Sequence, residues 1–122
     1  MTLLNEIERY RYAERLLGQR DALGALYMLE PLLDEHGDDP GVLLLAARAY
    51  FHSAQLGRAQ KTLGTLVERD PSDHYARFLL GRTLERASKP EQALPHLRMA
   101  AAMAAEPDYA DSVTRVERKL SL

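Results

Sequence analysis

Cysteine is absent from the 122 residues, which excludes a disulfide framework, an iron–sulfur cluster, a thiolate zinc site and a cysteine nucleophile. Thiol redox chemistry goes with them. Tryptophan is also missing and phenylalanine occurs only twice, so the interleaving of aromatic and basic residues that RNA recognition uses is thin. A formal charge of −2 and a pI near 6.1 supply no global attraction to nucleic acid or anionic lipid. No run approaches the roughly 18 to 20 apolar residues of a membrane span. Met1-Thr2-Leu3-Leu4-Asn5-Glu6 lacks the basic start and apolar core of a secretory signal. These absences predict a cytoplasmic chain with no membrane partner, and they disfavour nucleic acid.

Catalytic signatures are equally scarce. His36, His52, His74 and His96 recur at no metal-ligand spacing, and there is no glycine-rich phosphate loop or Gly-x-Ser-x-Gly turn. The acidic stretch Asp34-Glu35-His36-Gly37-Asp38-Asp39 lacks the alternating ligands and distal bidentate glutamate of a calcium loop and reads as a solvated connection. The seven glycines read as turn or close-contact residues. The expectation is a protein that is not an enzyme and carries no cofactor and no metal.

What is present is a repeat. The 46% hydrophobic and 28% charged residues are the balance of one folded domain, and 13 arginines against 3 lysines resemble the usage of a high-GC bacterial genome. Shifting the chain by 34 residues superposes Ala25, Ala59 and Ala93, then Leu29, Leu63 and Leu97, then Leu32, Leu66 and Ala100, without a gap. Upstream, the same shift aligns Ala13, Ala47 and Gly81, followed by Leu16, Tyr50 and Leu84. Within each copy, Ala-x-x-x-Leu-x-x-Leu places its three residues on one helical face. Short connections at Gly18 to Asp21, Ser53 to Gly57 and Ser88 to Pro90 force the paired helices antiparallel. The pattern predicts helices over 3–17, 22–36, 40–53, 57–69, 73–87, 90–104 and 108–120, with no strand. Proline at Pro40 and Pro90 marks helix starts, Asp21 and Ser72 are candidate caps, and Pro31 and Pro95 fall inside helices and should bend them.

A 34-residue helical hairpin with this pattern resembles the tetratricopeptide repeat. Mapped onto the family's positions, the chain is a single domain of repeats at about 6–39, 40–73 and 74–107, with a capping helix at about 108–120. The family's Leu-Gly pair falls on Tyr12-Ala13, Ala46-Ala47 and Leu80-Gly81, and its tryptophan position on Arg9, Leu43 and Arg77. The resemblance implies an all-α, right-handed superhelical solenoid of three hairpins and a final helix. In that helix Tyr109, Val113, Val116 and Leu120 form the apolar face.

It also implies a concave groove for a partner protein or peptide, lined by Ile7, Tyr10, Arg11 and Glu14, then Leu44, Arg48, Phe51 and His52, then Tyr75, Phe78, Arg82 and Arg86. Leu45 and Leu79 lie on the same stripe but read as packing between neighbouring helices. An apolar groove with a file of arginines suits a segment carrying apolar and acidic residues. Some family members clamp a chaperone C-terminal carboxylate with Lys, Asn, Asn, Lys and Arg. Here those positions hold Tyr10, Glu14, Leu45, Tyr75 and Leu79, so that clamp is not expected. The leading reading is an interaction adaptor. Self-assembly into a homo-oligomer is the alternative, favoured by a net charge of −5 over residues 1–40 against +3 over 41–122. An RNA-binding or regulatory module ranks below both.

Overall fold

The computed structural model describes residues 5–122. They form α1 (Glu6–Gly18), α2 (Ala22–His36), α3 (Pro40–His52), α4 (Leu56–Arg69), α5 (His74–Arg86), α6 (Pro90–Met103) and α7 (Pro107–Lys119), with no strand among them. The expected start of α1 at Leu3 lies outside the described residues. The helix opens at Glu6 because the Asn5 side chain accepts the Glu8 N–H at 2.8 Å. Asp39 and Asp73 cap α3 and α5 in the same way, so the three caps fall 34 residues apart. The cap of α5 is therefore Asp73 and not Ser72, whose N–H and hydroxyl are both held by Asp70. Asp21 caps α2 through the Gly24 N–H, and α2 and α6 continue through Pro31 and Pro95.

Each hairpin turns on a left-handed residue at one repeat position: Arg20, Ala54 and Ser88 have φ of 63°, 60° and 61°. The next N–H reaches back to the helix in every case, Asp21 to Leu16 O, Gln55 to Tyr50 O and Lys89 to Leu84 O, at 2.8 to 2.9 Å. These are Schellman closures built without glycine. Two of the glycines instead lie inside α4, where Gly57 and Gly64 face open space, so neither a turn nor a close contact explains them.

Packing follows the repeat. Ala13, Ala25, Leu29, Ala47, Ala59, Leu63, Ala93 and Leu97 are all fully buried. A Leu63 side chain removed from water contributes about 1.5 to 3 kcal/mol. Gly81 is where small size matters most, since a Cβ there would stand 2.6 Å from Leu97 Cδ2 and 3.3 Å from its backbone N. Two apolar clusters fill the stack, one under each end, and Tyr50 packs against both. Successive helices pack in order. The odd helices also touch one another, α1 to α3, α3 to α5 and α5 to α7, whereas the even helices do not. The stack consequently curves with α1, α3, α5 and α7 on its inner side.

The two ends differ. Val42, Leu45, Ala46 and Ala49 are buried in α3, as are Ala76, Leu79, Leu80 and Thr83 in α5, but the same positions of α1 hold the exposed Glu8, Arg11, Tyr12 and Arg15. Tyr12 thus lies outside the core that its place in the repeat suggested. At the other end, α7 stands as the first helix of a fourth unit with its register offset by one residue. Tyr109, Ser112 and Val116 are buried and Val113 half-buried at the places of Ala76, Leu79, Thr83 and Leu80.

Candidate partner-binding groove

Nine of the twelve expected groove residues line two clefts. The N-terminal cleft, about 350 Å³, is lined by Ile7, Tyr10, Arg11 and Glu14 of α1 together with Glu6, Leu32, His36, Asp39 and Val42. The second, about 360 Å³, lies between α3, α5 and α7 and is lined by Phe51, His52, Tyr75, Phe78, Leu79 and Arg82, with Asp108, Asp111, Ser112 and Arg115 opposite. Leu44, Arg48 and Arg86 line neither. Arg48 stands between the clefts, close enough to act electrostatically on Tyr10 of one and His52 of the other.

The aromatic residues form walls more than protruding anchors. Phe51 is only 8% exposed, with the Arg86 guanidinium 4.5 Å over its ring. That guanidinium also donates to the Phe51 carbonyl at 2.6 Å, so Arg86 is held locally. Phe78 stacks on Tyr109 at 4.4 Å, and the Tyr109 hydroxyl meets His74 Nδ1 at 2.8 Å. Tyr75, 38% exposed, is the aromatic most open to a ligand here. Burial, reinforced by the charges of Arg48 and Arg86, lowers the His52 pKa.

The N-terminal cleft carries three carboxylates, Glu6, Glu14 and Asp39, against Arg11 and His36. Tyr10 is pushed above the usual phenol value by burial and by the carboxylates of Glu14 and Asp39, while its hydroxyl lies 3.4 Å from the Gly41 carbonyl. Its rim carries an exposed ion pair, His36 Nε2 to Glu6 at 2.8 Å, which raises the His36 pKa. Glu35 joins these two in a surface cluster whose ligating atoms lie within 4.8 Å of one another. The chain folds His36 back over the start of α1, a contact the loop reading of that stretch did not anticipate.

One functional element escaped the sequence reading altogether. Glu85 occupies the repeat position of Leu17 and Phe51, and it is as buried as they are. Arg115 grips its carboxylate through two hydrogen bonds of 2.6 and 2.8 Å, Lys119 adds a third at 2.8 Å, and Arg82 approaches to 3.8 Å. Burial pushes the carboxyl up, but these hydrogen bonds and charges outweigh it and hold the pKa at about 2. Arg115 and Lys119 are thus a latch that holds α7 to α5. The signal was a carboxylate where the other two units bury an apolar side chain.

Comparison with known proteins comes to the same architecture. A family model described as tetratricopeptide repeat matches residues 16–83, more than half of the chain. No curated protein matches the sequence. Among solved structures, the first tetratricopeptide-repeat domain of Spaghetti (RPAP3), bound to the HSP90 peptide SRMEEVD, superposes with a TM-score of 0.84 at 14% identity, covering 95% of both chains. The chain described as MamA MSR-1 C2 gives 0.83 at 14% identity over 97% of this chain and 68% of that one. TTC0263, a thermophilic protein of Thermus thermophilus, gives 0.58 at 16% identity, covering 95% and 83%. At these identities the likeness is one of fold.

Proposed function

This chain belongs to the tetratricopeptide-repeat family, and we propose that it acts as a single-domain interaction adaptor, holding a segment of a partner protein along the inner face of α1, α3, α5 and α7. Repeats of this kind are protein-interaction modules. The observation that carries the proposal is the inner face itself. The second cleft combines aromatic surface at Tyr75 and Phe78 with Arg82, and Arg48 stands between it and the first cleft, the pairing of apolar contact and directional charge that anchors a peptide. The structurally similar Spaghetti domain holds a peptide, which supports a peptide as the kind of ligand. Tyr10, Glu14, Leu45, Tyr75 and Leu79 at the clamp positions argue for a ligand other than a chaperone tail. No catalytic role is proposed. No described helix is long and apolar enough to cross a membrane.

Arg48→Glu combined with Arg82→Gln tests the reading; glutamine is chosen at Arg82 because a second carboxylate beside Glu85 would be destabilising. Capture of the native partner should weaken roughly tenfold or more, about 1.4 kcal/mol. Lys61→Glu, on the outer surface of α4, should leave capture unchanged. Equal capture by the double variant would refute the groove.

A second reading, self-association, has its own observation. Leu23 and Tyr27 are each 67% exposed and Ile7 65%, all on the first hairpin. If that surface pairs two copies, the mass in solution will fall on dilution and Tyr27→Lys will abolish the dimer. A constant monomer mass removes this reading.

A further inference from the structure

We infer that the inner face is built for an extended segment whose charges run basic, acidic, basic, with the acidic residue at its centre. The inference deepens the proposed groove function and rests on it. Four helices cross the groove side by side, and the charges they present to it alternate in sign. On α1 and beside it, Glu6, Glu14 and Asp39 line the first cleft against Arg11 and His36, leaving it net acidic. Its floor is apolar, supplied by Ile7, Leu32 and Val42, and suits the aliphatic stem of a lysine or arginine whose head group meets the carboxylates.

At the repeat position of Glu14, α3 and α5 present Arg48 and Arg82. The sign therefore reverses in the middle of the groove. The next residue of that row is Arg115 of α7, but Glu85 claims it with two hydrogen bonds. What α7 leaves facing the second cleft are the exposed carboxylates Asp108 and Asp111, opposite Tyr75 and Phe78. The sign reverses again.

The complement of acidic, basic, acidic reads the same from either end, so the expected charge order does not depend on the direction in which the segment lies. Its length follows from helix packing. Neighbouring inner helices in contact lie about 8 to 10 Å apart, so the three steps from α1 to α7 span about 24 to 30 Å. An extended chain advancing about 3.3 Å per residue covers this with about eight residues. A uniformly acidic peptide would place carboxylates against Glu14 at one end and Asp111 at the other, where like charges reject it.

The test is selection of random eight-residue peptides displayed on phage against the full chain at low ionic strength, with Arg48→Glu as counter-target. Peptides lost on Arg48→Glu should carry Asp or Glu at central positions and Lys or Arg towards both ends. Asp108→Asn with Asp111→Asn should weaken such a peptide about threefold to tenfold, and Glu14→Gln should do the same through the other end. Arg48-dependent peptides with any other charge order, or with ends insensitive to these substitutions, would overturn the inference while leaving the groove in place. Recovery of no Arg48-dependent peptide would overturn both the inference and the groove.

Discussion

Replacing Glu85 by glutamine should destabilise the chain by about 2 kcal/mol at neutral pH, and the loss should disappear in acid. The folded carboxyl is held at about 2 against an ordinary 4.5. At about 1.4 kcal/mol for each pH unit, the ion-pair network stabilises the folded state by about 3 kcal/mol at most. The Glu85 side chain is only 6% exposed, but Arg115 and Lys119 are 40% and 49% exposed, so solvent screening removes part of that figure. Because the folded pKa lies below the unfolded one, the contribution is complete above about pH 4.5 and is lost as the pH falls towards 2. Urea unfolding followed by far-UV circular dichroism at about pH 7, 5 and 3 should therefore show a gap between wild type and Glu85→Gln that is full, nearly full and then less than about half. Other carboxylates titrate in both proteins, so the difference isolates Glu85. A gap independent of pH, or none at neutral pH, would refute the latch.

Leu63→Ala, at a fully buried site, should cost roughly 2 to 5 kcal/mol; an unchanged denaturation midpoint would mean that the central hairpin is packed differently. Ala54→Gly should stabilise by up to about 1 kcal/mol, since φ of 60° is costly for a residue with a Cβ; a lower melting temperature would contradict the left-handed turn. Gly64→Ala should add about 0.5 to 1 kcal/mol, because the helix gains a better former and the new methyl meets no atom within 4 Å. Destabilisation there would show a contact that the open outer face of α4 does not reveal.

Much of the fold was legible because close packing dictates small residues at fixed places. Ala25, Ala59 and Ala93 stand where helices approach, and the buried leucines four residues on repeat in the same register. The turns were placed but their conformation was not, since Arg20, Ala54 and Ser88 adopt a backbone that glycine normally marks. The groove was read as one apolar channel with an arginine file. Its division into two clefts, with carboxylates at both ends and arginines between them, depends on side chains from α2, on the loop before α3, and on α7. The α7 register is offset by one residue, so alignment at 34 set Arg115 opposite Gly81 and hid its place in the row of Arg48 and Arg82. Glu85 was legible in principle as a charge at a buried apolar position, but its partners lie 30 and 34 residues away. Arg82 and Arg86 lay on the predicted surface, yet Glu85 and Phe51 tether them, which leaves Arg48 as the least restrained cation of the file.

Whether a partner lies along the inner face can be read by site-specific photo-crosslinking. A photoreactive residue at Tyr75, inside the groove, or at Tyr27, on the outer face of the first hairpin, would be irradiated in native lysate. A partner in the groove should give a discrete adduct from Tyr75 that Arg48→Glu removes, and none from Tyr27. An adduct formed from Tyr27 alone, or one from Tyr75 indifferent to Arg48→Glu, would contradict it.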